Sequence, residues 1–264
     1  MRCRLQKTRI FTSRAYYWVL AATAIIPILY VYGKWNPDFL YVLSNGLPPV
    51  LALPAVIFAF MALLKLGKTG DERALPIWLG YASGISFWFL GEFTWAVYSI
   101  LLGVPIPYPS IADAFWLVGY PCFLIALSLQ SWPFRAALSP RQITAGLVSM
   151  SVLTIGVLAI LLPPIVLETE ELLTKAVSLA YPLLDVLLLV VTIPVFTLFK
   201  EGTLWRPSLF VMVGIILTLI ADTLFSWTIL QGIYYNGHPL ELFYHWSYLA
   251  FTLGFYLKLK ETRI

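Results

Sequence analysis

Long apolar stretches recur along the chain, separated by short segments that carry Pro, Gly or charged residues. Eight stretches, each long enough to cross about 30 Å of hydrocarbon as helix, run over 15–33, 47–66, 77–102, 110–130, 142–163, 173–199, 207–231 and 239–258. The pattern predicts an all-α polytopic membrane protein with eight transmembrane helices. We expect residues 1–264 to form a single integral membrane domain.

The composition supports this class. Hydrophobic residues make up 60% of the chain and charged residues 11%, and the mean hydropathy is +0.85. A soluble domain needs an alternating polar surface that no stretch of this chain offers. These values exclude an ordinary soluble protein and predict the lipid bilayer as the main partner.

The positive charges predict the orientation in the membrane. Of 17 Lys and Arg residues, all except Lys34 and Lys175 fall on one side of the predicted spans. Because cytoplasmic loops retain positive charge, we expect a multi-pass protein of the cell membrane with both termini cytoplasmic. The basic residues are scattered rather than clustered, which favours contact with anionic headgroups over nucleic acid.

An internal repeat is indicated by two aromatic segments. "GEFTWAVYSILLGVPIPYPSIADAFWLVGY" parallels "ADTLFSWTILQGIYYNGHPLELFYHWSY", and chance similarity between hydrophobic segments is the alternative. The alignment predicts two parallel four-helix repeats, 1–136 and 137–264. It pairs Glu92 with Asp222, Asp113 with Glu241, and Tyr120 with Tyr248.

Five carboxylates lie within the predicted spans. Glu92, Asp185 and Asp222 are near the middle of spans three, six and seven, and Asp113 and Glu241 open spans four and eight on the external side. No Lys or Arg of the spans reaches this depth, and an ionised carboxylate there costs several kcal/mol. Each acid should therefore be protonated, hydrogen-bonded, or paired with a ligand that enters from outside.

Aromatic residues follow these acids at helical spacing. Trp95 follows Glu92 by three residues, Trp116 follows Asp113 by three, and a histidine follows the acid of span eight by four, which places each pair on one helix face. We expect an outward-facing acidic and aromatic pocket for a small cationic or polar ligand. Its predicted ligand-binding residues are Glu92, Asp222, Asp185, Trp95, Asp113, Trp116, Glu241 and His245.

Structural roles are the alternative for the same residues. Ser110 precedes Asp113 by three, which is the capping-box pattern, and Glu241 follows Pro239 at a helix start. The three deep acids also fit hydrogen bonds between helices, and interfacial aromatics commonly form a belt. His245 suits a packed histidine better than a metal ligand.

The patterns of enzymes are missing from the sequence. The chain has two His residues, no Gly-rich phosphate loop, no Gly-x-Ser-x-Gly motif and no Asp-Asp-x-x-Asp cluster. We therefore expect no enzyme activity, no catalytic residue and no metal site, and the sequence specifies no cofactor.

Short motifs carry a family resemblance. "YPSIADAFWLVGYP", "AYPLLDVLLLV", and "ADTLFSW" followed by "GIYYNG" and "WSY" resemble the multi-spanning N-terminal sensory modules of bacterial and archaeal signalling proteins. Such modules precede GGDEF, EAL or histidine kinase domains, whereas this sequence stops at Ile264. The resemblance implies signal transduction through a cytoplasmic or membrane partner and supplies no ligand residues.

These observations favour a membrane-embedded sensor that binds a ligand and signals through helix repacking. One alternative is a proton- or cation-coupled small-molecule transporter. Broken helices would favour this alternative, and Pro182, three residues before Asp185, is the candidate for such a break. Another is a membrane scaffold or assembly subunit.

Overall fold

The structure is a computed structural model that describes residues 14–104, 107–167, 171–199 and 205–261. Long helices dominate this part of the chain. They are α1 (Arg14–Gly33), α2 (Pro37–Gly67), α3 (Ala74–Ala96), α4 (Ile111–Ser131), α5 (Pro140–Leu167), α6 (Leu172–Phe199), α7 (Trp205–Leu230) and α8 (Glu241–Glu261). A π-helical turn, Val97–Leu102, extends α3, and a 3₁₀ turn, Trp132–Ala137, follows α4.

Most helix ends agree with the predicted spans to within a few residues, but the predicted start of span two at residue 47 is wrong. Helix α2 begins ten residues earlier, at Pro37, where Asn36 caps it by accepting the Phe39 amide. Proline suits a first helical position because its missing N–H has no partner there. The helix then continues through Pro48 and Pro49, which the sequence analysis had placed at a boundary.

Several charged residues used to predict the orientation lie outside the described residues. They are Arg2, Arg4, Lys7, Arg9, Lys200 and Arg263.

Within the described residues, seven helices are long and apolar enough to cross a membrane, namely α1 to α7. The chain therefore has the architecture of a multi-pass membrane protein. Helix α8 is less hydrophobic because its first and last turns carry Glu241, Lys258 and Lys260. It is nevertheless enclosed by protein, and nearly all side chains from Ser247 to Phe255 are buried. A helix that faces protein rather than lipid needs less apolar surface.

Six helices form a closed ring. Going around it, α2 contacts α3, α3 contacts α4, α4 contacts α6, α6 contacts α7, α7 contacts α8, and α8 returns to α2. Helix α1 packs outside the ring on α8 and α2, and α5 packs outside it on α6 and α7. Both outer helices expose large apolar side chains, such as Trp18 and Ile155, as a lipid-facing surface does.

Glycines set the close approach of α3 and α4. The Trp88 indole covers Gly119, the Trp116 indole covers Gly91, and a Cβ on either glycine would stand within 3 Å of the ring. Trp88 Nε1 also donates to the Trp116 carbonyl oxygen at 3.1 Å. Small residues let backbones approach in a membrane, where packing rather than hydrophobicity drives helix association.

The two ends of the ring differ. We call the end at which α3 ends and α4 begins, and which carries the α7–α8 connection (residues 231–240), the pocket end. Hydrogen bonds across α2 fasten it: Tyr41 Oη donates to the Ser99 carbonyl oxygen at 3.0 Å, and the Gly237 amide donates to Ser44 Oγ at 2.9 Å. At the opposite end, Lys65 Nζ donates to the Leu259 carbonyl oxygen at 3.3 Å.

Candidate functional site

A cavity of about 100 Å³ opens inside the ring toward the pocket end. This volume has room for several waters or one small molecule. All six ring helices contribute to its wall. Four carboxylates line it, those of Glu92, Asp113, Asp222 and Glu241. No lysine or arginine among the described residues lines it.

The structure brings together seven of the eight predicted ligand-binding residues. Glu92, Asp113, Asp222, Glu241, Trp95, Trp116 and His245 line this cavity. The eighth, Asp185, is fully buried in α6 and is not part of the lining. It contacts the hydroxyl group of Tyr120 and the carboxyl group of Asp222, both of which line the cavity. A ligand in the cavity would therefore not touch Asp185 directly.

Tyrosine hydroxyl groups are the common partners of the five carboxylates within the helices. Each carboxylate lies within hydrogen-bonding distance of at least one tyrosine hydroxyl, and most of these contacts join two different helices. The tyrosine–carboxylate pairs are Tyr248–Glu92, Tyr181–Asp113, Tyr120–Asp185, Tyr120–Asp222, Tyr244–Asp222, Tyr30–Glu241 and Tyr234–Glu241. The acids thus connect helices as well as lining a cavity.

Asp113 forms the capping box that its sequence pattern predicts as a structural role. Its Oδ2 accepts the Ser110 amide at 2.6 Å, and Ser110 Oγ accepts the Ala112 amide at 3.2 Å. Its Oδ1 accepts the Tyr181 hydroxyl of α6 at 2.8 Å. Both oxygens of Asp113 are therefore used within the protein.

Glu241 has a similar position at the start of α8. Its Oε1 accepts the Gly237 amide at 2.8 Å and the Tyr234 hydroxyl at 3.0 Å, and its Oε2 accepts the Tyr30 hydroxyl at 2.7 Å. Burial and the nearby Glu241 charge raise the pKa of Tyr234, in the α7–α8 connection, well above its ordinary value, so this phenol keeps its proton and donates. Glu241 ties α1 and the connection to α8.

His245 continues the Glu241 cluster. Its Nε2 lies 2.6 Å from the Tyr30 hydroxyl oxygen, whose single hydrogen is directed to Glu241. His245 Nδ1 is buried and has no hydrogen-bond partner in the described part of the chain. Its contact with Tyr30 holds the histidine inside the packing.

Glu92 differs from the other three lining acids. Asp113, Asp222 and Glu241 are buried, at 3%, 8% and 5% exposure, whereas Glu92 is partly exposed toward the cavity. The hydroxyl group of Tyr248 donates to Glu92 Oε1 at 2.7 Å. Glu92 is thus the least buried of the four acids that line the cavity.

Two indoles stand beside Glu92. The rings of Trp95 and Trp116 lie 5.9 Å apart at an angle of 40°, and both line the cavity. Asn45 of α2 fixes Trp95 by accepting its Nε1–H at 2.8 Å. The faces of such rings attract cations, so the indoles and the carboxylate favour the same type of ligand.

The sequence analysis missed three of the six tyrosine partners. Tyr30, Tyr120 and Tyr244 were not predicted to bind the acids. A signal was present in the spacing: Tyr120 follows Asp113 by seven residues, and Tyr244 follows Glu241 by three, so each shares a face with an acid. The spacing does not indicate that the tyrosine would bond an acid of another helix.

The described residues contain no group of three or more His, Cys, Asp or Glu that fits a metal ion. Comparison of the chain with protein-family models, with curated proteins and with solved structures finds no match. The site is therefore interpreted from its own geometry.

Proposed function

We propose that the chain is a membrane sensor whose cavity binds a small organic cation. The observation that carries this proposal is the partly exposed Glu92 side chain beside Trp95 and Trp116, in a wall with three further acids and no lysine or arginine among its described residues. A cation in this position gains both charge pairing and ring contact. Both interactions are stronger in a desolvated cavity than in water.

We further propose eight spans, with the pocket end outside the cell membrane. The 21 residues of α8 are about 31 Å long as helix, enough to cross the hydrocarbon. With eight spans both termini lie on one side. Lys65, Lys68 and Lys258 lie at the end opposite the pocket, which agrees with a cytoplasmic location for that end.

The order of helices around the ring supports an internal duplication. Replacing α2, α3 and α4 by α6, α7 and α8 maps the ring contacts onto themselves, so that α2–α8 becomes α6–α4. The bond from Tyr248 to Glu92 likewise becomes the bond from Tyr120 to Asp222. The outer helices depart from this relation, because α5 contacts α7 whereas α1 contacts α8.

The same hydrogen bonds suggest how binding would be transmitted. Tyr248 of α8 and Glu92 of α3 join the two proposed repeats at the cavity wall. A cation that attracts the Glu92 carboxylate competes with this bond and so changes the packing of α3 against α8. A cytoplasmic or membrane partner would detect that change, as in the signalling modules that the chain resembles.

The proposal is tested by ligand-induced stabilisation of the purified protein in detergent. Tetramethylammonium and choline serve as probes, with NaCl at equal ionic strength as the reference. A ligand at 100 times its Kd stabilises the folded state by about 2.7 kcal/mol, so a binding probe raises the Tm and quenches or shifts tryptophan fluorescence. We expect both effects in the parent and their loss in Glu92→Gln, which keeps the shape and an acceptor for Tyr248.

Glu171→Gln is the matched control, because Glu171 is an exposed carboxylate before α6 and outside the cavity lining. It should respond to the probes as the parent does. An equal loss in both variants, or no response of the parent to any organic cation, contradicts the proposal. Uptake of a probe into vesicles reconstituted with the protein would instead indicate transport. Helix α6, however, runs unbroken through Pro182, so the broken helix that would favour a transporter is not found there.

A further inference from the structure

One phenol bridges a buried pair of aspartates, of which Asp222 lines the cavity and Asp185 lies behind it. Tyr120 Oη is 3.0 Å from Asp185 Oδ1 and 2.9 Å from Asp222 Oδ2. Tyr244 Oη is 2.6 Å from the other oxygen, Asp222 Oδ1. The four residues come from α4, α6, α7 and α8, so this cluster lies where the ring helices converge.

The number of hydrogens does not match the number of contacts if both aspartates are ionised. A tyrosine hydroxyl carries one hydrogen and donates one such bond, yet Tyr120 has a carboxylate oxygen at bonding distance on two sides. With two ionised acids, one of these contacts would be a repulsive approach of two oxygens without a hydrogen. One additional proton on the pair turns both contacts into hydrogen bonds.

We infer that the Asp185–Tyr120–Asp222 cluster is a proton-binding site that holds one proton, stored on Asp185 and exchanged with the cavity through Tyr120. The inference is independent of the proposed ligand, because it concerns the ligand-free protein. It names the proton itself as the ligand and the two aspartates as its alternative acceptors.

The partners of each carboxyl group decide which acid holds the proton. Asp222 accepts donors on both oxygens, from Tyr120 and Tyr244, which suits a carboxylate. Asp185 is fully buried, and its Oδ2 has no hydrogen-bond donor in the described part of the chain. A bare anionic oxygen in such a position is far more costly than a neutral carbonyl oxygen. All hydrogens then point one way, from Asp185 to Tyr120 and from Tyr120 to Asp222.

The surroundings supply acids and phenols to this pair. The groups that face it are Glu92 of α3, Tyr108 before α4, Asp113 and Tyr120 of α4, Tyr181 of α6, and Tyr244 and Tyr248 of α8. Helix α5 carries one titratable residue, Arg141, in its first turn. The buried residues of α5 begin at Val157, about four turns further along the helix. With acids nearby and no cation among the residues that line the adjoining cavity, the pair favours the singly protonated state.

The connection to the cavity is a two-step shift of hydrogens. The O–H bond of Asp185 breaks as its proton binds Tyr120, and the former Tyr120 O–H bond breaks as its proton binds Asp222. The phenol is neutral before and after, and one negative charge moves from Asp222 to Asp185. Asp222 lines the cavity, so the proton can leave from there to water or in exchange for a cation.

Infrared spectroscopy of the full-length protein in detergent at neutral pH tests this inference without any ligand. A protonated carboxyl group gives a C=O stretching band that is separate from the carboxylate bands. We expect such a band from an aspartate in the parent, and its loss in Asp185→Asn. Incorporation of [4-¹³C]aspartate should move the band to lower frequency, which distinguishes an aspartate from Glu92 or Glu241 and needs no variant.

Asp38→Asn is the control, because Asp38 is an exposed aspartate in the first turn of α2 and lies outside the cavity lining. The band should persist in this variant. Tyr120→Phe should shift the band by removing the hydrogen-bond acceptor of Asp185. Absence of the band in the parent, a band insensitive to labelled aspartate, or a band that persists unchanged in Asp185→Asn would each overturn the inference.

Discussion

Replacing Tyr120 by Phe removes one oxygen atom from the centre of the ring and leaves the aromatic packing in place. The ring of Tyr120 contacts Trp88 and Tyr181, with centroids 5.3 and 6.1 Å away, and Phe retains both contacts. What is lost is the bridge between Asp185 and Asp222. The variant therefore isolates the polar interactions.

The expected cost follows from the groups involved. A hydrogen bond to a charged group contributes about 1.5–3 kcal/mol, and a buried acceptor left without its donor adds to the loss. For Tyr120→Phe we expect destabilisation of about 3 kcal/mol. Tyr81→Phe is the matched control, because Tyr81 is equally buried at 3% exposure and donates a single bond, at 2.5 Å, to the uncharged side chain of Gln130. Its loss should cost about 1 kcal/mol.

Thermal unfolding in detergent measures the difference. Two kcal/mol corresponds to a Tm lower by about 4–8 °C in Tyr120→Phe than in Tyr81→Phe. A double-mutant cycle with Asp222→Asn should give a coupling of about 0.5–3 kcal/mol, since the two residues are in direct contact. Equal Tm values for the two phenylalanine variants, together with no coupling in the cycle, would refute the view that Tyr120 stabilises buried acids.

Two further predictions concern the helices around the cavity. Gly119→Ala places a methyl group against the Trp88 indole and should lower the free energy of unfolding by about 1–3 kcal/mol. In the control Gly156→Ala, the added methyl group in α5 meets nothing within 4 Å, so this variant should be neutral or stabilised by up to about 1 kcal/mol. Denaturation midpoints measure the difference between the two variants. Asp113→Ala removes the capping box and should lower the free energy of unfolding by about 0.5–2 kcal/mol. Ser110→Ala should show a similar decrease in the same assay. If neither variant loses stability, the capping box does not stabilise α4.

The sequence by itself determined the parts of this protein that depend on neighbours along the chain. Apolar stretches predict the helices and their approximate ends, since a backbone in lipid must satisfy its hydrogen bonds locally. The spacing of Ser110 and Asp113 predicts a capping box, which is a contact between residues of one turn. The depth of the acids follows from their positions within the apolar stretches.

Only the tertiary structure decided which side chains meet. The helices are apolar on all sides, so no polar face indicates which surface turns inward. The prolines of α2 also led the sequence analysis to begin this helix ten residues too late. The contacts of Tyr120 with Asp185 and Asp222 span 65 and 102 residues of chain. These contacts form only when the six helices close into a ring. Ring closure depends on close packing between neighbouring helices, such as that of the Trp88 and Trp116 indoles over Gly119 and Gly91. In a membrane such packing, rather than the exclusion of water, selects the neighbours of each helix.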